Sequence, residues 1–378
     1  MWLFKSSIGR KFIMAVTGVA LVLFVTFHVL MNSVAIFWPA AYNQVCEFLG
    51  ANWYALIASI GLAALFVIHI VYACWLTLQN RAARGTDRYA VTSRPPQVEW
   101  SSKNMLVLGI VIVAFLGLHL VQFWAKMQLQ EVLHHDLTAL PQLDGVPVGP
   151  AQGTLFLQMA FANDWSWAVY LLGFVALWFH MTHGFWSMFH TIGWDNNRWL
   201  GRLKCIANIW TSVVVALFVA QVIVFTVLAH KNYYVENEQL QEQYAEYWNQ
   251  QAEQLSEAFQ APLMAERAKL EKIPTPTVQQ SMEMEQSFNT VLTNVIKNDG
   301  PKFVESVNHV ENGYRKFCSS LPMSEEIYKL TSLKKQVEYM LSLPDLGQPQ
   351  PAQPAQPAQP AVQPVQPQND DPQQQTQQ

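Results

Sequence analysis

The chain has 378 residues, 51% of them hydrophobic and only 13% charged, with a net charge of −4. A soluble domain carries about 25% charged residues, so this composition excludes an ordinary soluble globule. Residues 1–230 hold 12 Lys and Arg against 8 Asp and Glu, and residues 231–378 hold 11 against 19; neither part has the basic stripe of a nucleic-acid binder, and no nucleic-acid partner is expected.

Apolar segments at roughly 12–37, 53–79, 104–129, 165–189 and 206–230 each reach the ~20 residues that a helix needs to cross a bilayer. Runs of this length satisfy their backbone in lipid as helices. The first follows Lys5, Arg10 and Lys11 as a signal peptide would, but its apolar run is longer than a signal core, so it reads as a retained span. Arg81, Arg84, Arg88, Arg94 and Lys103 lie between the second and third spans, and Arg198, Arg202 and Lys204 between the fourth and fifth. The alternate loops, about 38–52 and 130–164, hold Glu47, Glu131, Asp136, Asp144 and Asp164 and no Lys or Arg. The positive-inside rule then places the N-terminus in the cytoplasm. Five crossings place everything after His230 outside, in the periplasm if the membrane is a bacterial inner membrane.

Four spans each carry one deeply placed histidine: His28, His69, His119 and His180. A polar side chain in hydrocarbon is costly and marks function by default, and neutral imidazole is an axial ligand for haem iron. Counted from the inner ends of their spans, His28 and His119 lie about 22–24 Å deep and His69 and His180 about 15 Å deep, at ~1.5 Å per residue. The equal depths pair His28 with His119 and His69 with His180, as two bis-histidine sites would require. His183 lies three residues past His180 on nearly the same face and is an alternative ligand or a neighbour that supports the ligand. Gly173 and Gly184 flank His180 on its own face, where a missing side chain would admit a flat macrocycle. His190 sits at a span boundary, His134 and His135 in the outer loop, and His230 and His309 carry no signal.

The cysteines Cys46, Cys74, Cys205 and Cys318 form no CxxC or CxxCH, which argues against a zinc ribbon and covalent haem. Cys74 and Cys205 read as packing residues. Cys46 and Cys318 could pair only if both faced an oxidising compartment. Beyond residue 230 the chain turns polar. Leu240, Tyr244, Tyr247, Leu255, Phe259 and Leu263 recur near helical spacing, interrupted at Pro262 and then at Pro274 and Pro276. Further amphipathic helices are expected at about 282–297, 302–319 and 324–342, packed on the outer loops, on a second copy or on a periplasmic partner. From about residue 347 Pro/Gln repeats take over, with Pro-Ala-Gln three times over 351–359, a composition that stays extended and disordered. The expected organisation is all-α: a five-span membrane domain (1–230) binding two haems, a polar helical extension (231–346) and a disordered tail (347–378).

These residues resemble the cytochrome b membrane anchor of succinate dehydrogenases and fumarate reductases, in its single-chain, five-helix, two-haem form. The resemblance covers about residues 1–230. Its carriers are Ser6-Ser7-Ile8-Gly9-Arg10-Lys11-Phe12-Ile13-Met14, Phe27-His28, Ala41-Tyr42-Asn43, Ile68-His69, Leu118-His119 and Phe179-His180-Met181-Thr182-His183-Gly184-Phe185-Trp186-Ser187. It implies ligands at His28, His69, His119 and His180, paired first span with third and second with fourth, and a non-ligand place for His183. It further implies two b haems, a flavoprotein and an iron–sulfur subunit docked on the cytoplasmic side, and a membrane quinone, typically menaquinone, as the redox partner. Where some members carry a glutamate two residues before the fourth-span ligand, this chain has Trp178, which offers no proton route. The extension after residue 231 is outside the pattern.

Quinol oxidation needs a proton acceptor. Glu47, the acidic residue of the first outer loop, is the candidate, and Asn32 lies four residues past His28 on its face. Two other classes of function remain open at this stage. One is a stand-alone two-haem transmembrane reductase, which the absence of a cytosolic nucleotide domain argues against. The other is a non-enzymatic anchor that presents the outer helices.

Overall fold

The computed structural model describes residues 6–84, 99–133, 137–194, 196, 198–273 and 275–344. Arg88, Arg94, His134, His135 and the Pro/Gln tail, all singled out above, lie outside the described residues. The chain is mostly helical, and five helices are long and apolar enough to cross a membrane: α1 (Ser7–Phe37), α3 (Trp53–Arg84), α4 (Trp100–His119), α7 (Ser166–Thr191) and α8 (Trp199–His230). The chain is therefore read as a multi-pass membrane protein.

Most of these helices start earlier or end later than the apolar runs. Long basic side chains at a span end can lay their stems on apolar surface and keep the charge in water, so charge does not terminate the helix. Arg10 packs over the Trp75 ring at 5.4 Å, and Lys204 lies 4.3 Å from the Trp186 ring with its charge paired to Glu99. Ser6 starts α1 by accepting a hydrogen bond from the Gly9 amide at 2.9 Å. The third span does not run on to 129. Directly after His119 it turns π-helical over Leu120–Trp124, with Ala125 N–H bonded to the Leu120 carbonyl at 2.8 Å. Such turns insert one extra residue and recur at functional sites.

The loops expected at 38–52 and 130–164 are largely folded. The first is helix α2 (Pro39–Ala51), begun by a proline whose missing N–H costs nothing at that position. The second contains α5 (Gln128–Leu133), a 3₁₀ turn (Leu137–Ala139), a two-stranded antiparallel ladder (β1, Gln142–Leu143; β2, Val146–Pro147) and α6 (Gly153–Phe161). The ladder is a small departure from the all-α expectation; Asp144 and Gly145 turn it, both with positive φ.

After His230 a short turn, α9 (Tyr233–Glu236), leads into α10 (Glu238–Leu270), α11 (Val278–Phe317) and α12 (Glu325–Ser342). Pro262 does not interrupt α10, and the two helices expected at 282–297 and 302–319 are one helix that runs through Pro301. Both prolines are exposed, so the carbonyls they leave unbonded face water, while the opposite faces are fixed by packing such as the Phe259–Phe303 stack at 4.0 Å. Thr277 and Gln280 form a capping box at the start of α11.

These helices pack on α2 and on the segment between α5 and α7, and a continuous core runs from Val29 through α6 to Val337. Trp248, Tyr234 and Tyr244 are fully buried in it. Close approach depends on glycine at two places: a Cβ at Gly149 would strike the Tyr247 ring, and one at Gly153 would strike Cys46 and Tyr42. Cys46 and Cys318 are both free thiols, so the conditional disulfide is absent. Burial pushes each thiol up to about 12, which makes both poor thiolates.

Candidate functional site

The histidines that share a depth are in ring contact. His28 on α1 faces His119 on α4 with ring centres 5.7 Å apart and planes at 89°. His69 on α3 faces His180 on α7 at 6.4 Å and 62°. Two imidazoles on opposite sides of one metal ion, with metal–nitrogen bonds of about 2 Å, have ring centres ~6 Å apart.

The donor chemistry of the rings can be read from their neighbours. Thr17 Oγ1 donates its single hydrogen to the backbone carbonyls of Ile13 and Met14 at 2.9 and 3.1 Å. It is thereby placed to accept from His69 Nδ1, 3.0 Å away, in the tautomer that leaves the Nε2 lone pair free. Tyr170 repeats the device at the other pair. Its hydroxyl donates to Gln122 Oε1 at 2.8 Å and so accepts from His119 Nδ1 at 3.3 Å. A metal-ligating histidine needs this same arrangement, because the hydrogen bond at the remote nitrogen fixes the tautomer and the ring orientation. At His28 the Asn32 amide lies against the ring, 3.3–3.4 Å from both nitrogens, and also donates to the His28 carbonyl at 2.8 Å. His180 Nδ1 is buried without a hydrogen-bond partner. The spacing of both couples fits a haem held between two histidines, and at His69 and His119 the remote ring nitrogen also has the partner that such a ligand needs.

The surroundings are aromatic and apolar. Phe24 and Phe218 flank His28, and Phe115 and Phe123 flank His119, at centre distances of 5.3–6.1 Å. Space beside His180 is not where both glycines suggested. The place of a Gly173 side chain is filled by the Phe115 ring, so Gly173 serves helix packing; at Gly184 nothing lies within 4 Å. The most apolar window of α3 buries none of its residues against protein, leaving its faces to lipid or to a bound apolar group.

His183 belongs to a different cluster. Its Nδ1 is 3.1 Å from Glu99 Oε2, which also accepts from Trp186 Nε1 at 3.3 Å, while Lys204 Nζ donates to Glu99 Oε1 at 2.7 Å. Partial burial alone would raise the Glu99 carboxyl, but the Lys204 and His183 hydrogen bonds hold it below the usual carboxylate range. The cluster ties the ends of α4, α7 and α8 together at the basic end of the bundle. Trp178 donates to Ser212 Oγ at 3.0 Å. His230 is paired outside the bundle with Asp164 at 3.0 Å.

Glu47 is exposed on α2 and lines a shallow cleft of about 500 Å³ with Gln44, Phe48, Asn52, Trp53 and Tyr54. No histidine lines that cleft, so the structure does not join Glu47 to the His28–His119 pair. Sequence reasoning missed Thr17, Tyr170 and Glu99. The first two were visible as polar residues inside apolar spans; Glu99 was hidden among the basic residues of its loop. Comparisons with family models, with curated proteins and with solved structures gave no match for this chain.

Proposed function

We propose that the chain is the membrane-anchor cytochrome b subunit of a succinate:quinone oxidoreductase. The observation that carries this reading is the pair of facing histidine couples at two depths of one bundle, two of whose rings have the Nδ1 proton fixed by a hydroxyl. The motif resemblance over residues 1–230 supplies the rest. His28 with His119 and His69 with His180 would hold two b haems, which when bound supply one-electron carriers at two depths of the membrane. Thr17 and Tyr170 keep Nε2 of His69 and His119 unprotonated and aimed, and the aromatic rings keep water away. In this reading the end bearing Arg10, Lys11, Arg81 and Lys204 faces the cytoplasm of a bacterial cell and receives the iron–sulfur subunit of a flavoprotein-containing complex. Succinate or fumarate chemistry stays on those subunits. The opposite end meets the quinone, with Glu47 as the candidate proton acceptor, and the helices after His230 are periplasmic.

Purification of the complex through this chain, with haem counted per polypeptide, tests the proposal. Two haems per chain are expected, with flavin and iron–sulfur subunits co-purifying. His28→Ala or His119→Ala should each leave one haem, and His69→Ala or His180→Ala the other. His183→Ala should keep both. Two haems without soluble subunits would favour the stand-alone reductase; no haem would favour the anchor without redox function.

A further inference from the structure

A path of buried and part-buried polar contacts, carried along the backbone from Asn43 to Tyr42, joins the helices after His230 to the outer histidine pair. On the extension side, Tyr244 Oη and Thr154 Oγ1 are 2.7 Å apart. The Tyr244 hydroxyl also lies 2.8 Å from the Tyr234 carbonyl; because Thr154 Oγ1 gives its one hydrogen to Asn43, Tyr244 is the donor in the contact between the two hydroxyls. Thr154, at the start of α6, presents both its amide and its hydroxyl to Asn43 Oδ1 at 2.9 Å. Asn43 Nδ2 donates to Gln243 Oε1 at 3.1 Å, and Gln243 Nε2 donates back to the Ala40 carbonyl at 3.0 Å. The first turn of α2 is thus held from two sides by α6 and α10. Tyr42 stands in that same turn, and its hydroxyl donates to Asn32 Oδ1 at 3.2 Å. Asn32 is the residue whose amide lies on the His28 ring.

The tightness of this region leaves the path little freedom. Tyr42, Asn43, Thr154 and Tyr244 are all buried, and Gly153 brings α6 so close to α2 that a methyl group there would meet Tyr42. Burial also pushes the Tyr42 hydroxyl well above the ordinary phenol range, so it stays protonated and keeps donating. α8 adds a second hold on α1 beside the histidine: Gln221 Nε2 donates to the Val29 carbonyl at 2.8 Å and to Ser33 Oγ at 3.0 Å.

We propose that the helices after His230 act as a clamp that sets the outer histidine pair: α10 holds α2 so that Tyr42 pins the Asn32 amide against His28. Tyr42, Asn32, Asn43, Thr154 and Tyr244 are positioning residues in this scheme, and none of them is expected to touch a substrate. Among the described residues no such link reaches the inner pair, whose Thr17 partner is bonded to carbonyls of α1. The two pairs therefore respond differently to changes in the extension. The proposal rests on the two-haem reading above.

The test is a redox titration of the full-length protein followed by visible spectra, with the outer component assigned by its loss in His119→Ala. Tyr42→Phe and Tyr244→Phe each remove one hydroxyl without changing shape. Both should shift the midpoint or the band of the outer component in the same direction and leave the inner component in place. The double variant should shift no further than the larger single one, because both act through one contact. Ser324→Ala, which removes a hydroxyl elsewhere in the extension, should change neither component. A wild-type chain without haem overturns the two-haem reading and the clamp with it. Two haems in the wild type with the outer component unmoved by Tyr244→Phe, or with both components moved alike, overturn the clamp alone.

Discussion

The two halves of the molecule solve burial in opposite ways. In the cap over one end of the bundle, helix α6 buries every residue except Met159. In the bundle, the most apolar stretch of α3 buries none. Water drives the first kind of packing, because apolar surface removed from it stabilises by about 25 cal/mol per Å². Lipid gives no such reward between helices, so the spans need only satisfy their backbone and their few polar side chains. The comparison teaches where to look for function. In the cap a buried polar group is a structural joint, whereas in the loosely packed bundle a buried histidine has little packing reason to be there.

The largest effect that sharpens this contrast is expected at Trp248, fully buried between the extension helices. Trp248→Ala should cost about 3–5 kcal/mol, the usual range for an aromatic residue truncated in a core. Leu23→Ala, on a bundle residue that is 64% exposed to the membrane side, should stay within about 0.5 kcal/mol. Thermal unfolding in detergent reads both. A comparable loss at Leu23 would show that this face is a protein interface and that the comparison is wrong.

The glycines give a smaller contrast. Gly153→Ala forces a methyl group into Cys46 and Tyr42 and should cost about 1–3 kcal/mol. Gly184→Ala meets open space and should leave unfolding unchanged. Loss of haem in Gly184→Ala with unaltered unfolding would mark that space as the macrocycle's own.

The smallest effect is on acid stability. Glu311 and Lys334 in the cap are bonded at 2.7 Å with side chains only 10% and 12% exposed, whereas Glu99 and Lys204 at the bundle edge are about one-third exposed. Burial raises both carboxyls, but the hydrogen bonds from Lys334 and Thr331 at Glu311, and from Lys204 and His183 at Glu99, bring each below its ordinary 4.5. A lowered folded value means a contribution complete above about 4.5 and lost as pH falls through the folded value. Glu311→Gln should flatten the acid limb of a stability–pH curve more than Glu99→Gln, because exposed pairs are screened and contribute about 0–1 kcal/mol. Equal flattening would show that the bundle edge is as dry as the cap.

Much of the bundle was legible in the sequence because its determinants are local. Span length follows from a run of apolar residues, and depth follows from counting residues at a fixed rise per residue, so equal depth identified the histidines that the structure brings into contact. The choice between His180 and His183 was not local. Both lie on nearly one face, and what separates them is Glu99, 84 residues away in the chain, which occupies His183. The hydroxyls that fix the ring protons at His69 and His119 are distant in the same sense, at separations of 52 and 51 residues.

The cap shows the limit most clearly. Residues 38–52 and 130–164 read as acidic loops between spans, yet most of their described residues fold under the helices that come after His230. Pro262 reads as a break and 297–302 as a gap between two helices, yet long helices run through Pro262 and Pro301 because their freed carbonyls face water and their opposite faces are packed. The sequence by itself determined the spans, the extension's helical character and the depths of the four histidines, since hydrophobic period and helical rise act within one segment. Only the tertiary structure decided which polar groups meet His28, His69 and His119 and how the extension is linked to α1. Those contacts join residues up to 203 positions apart in the chain, and no local period encodes them.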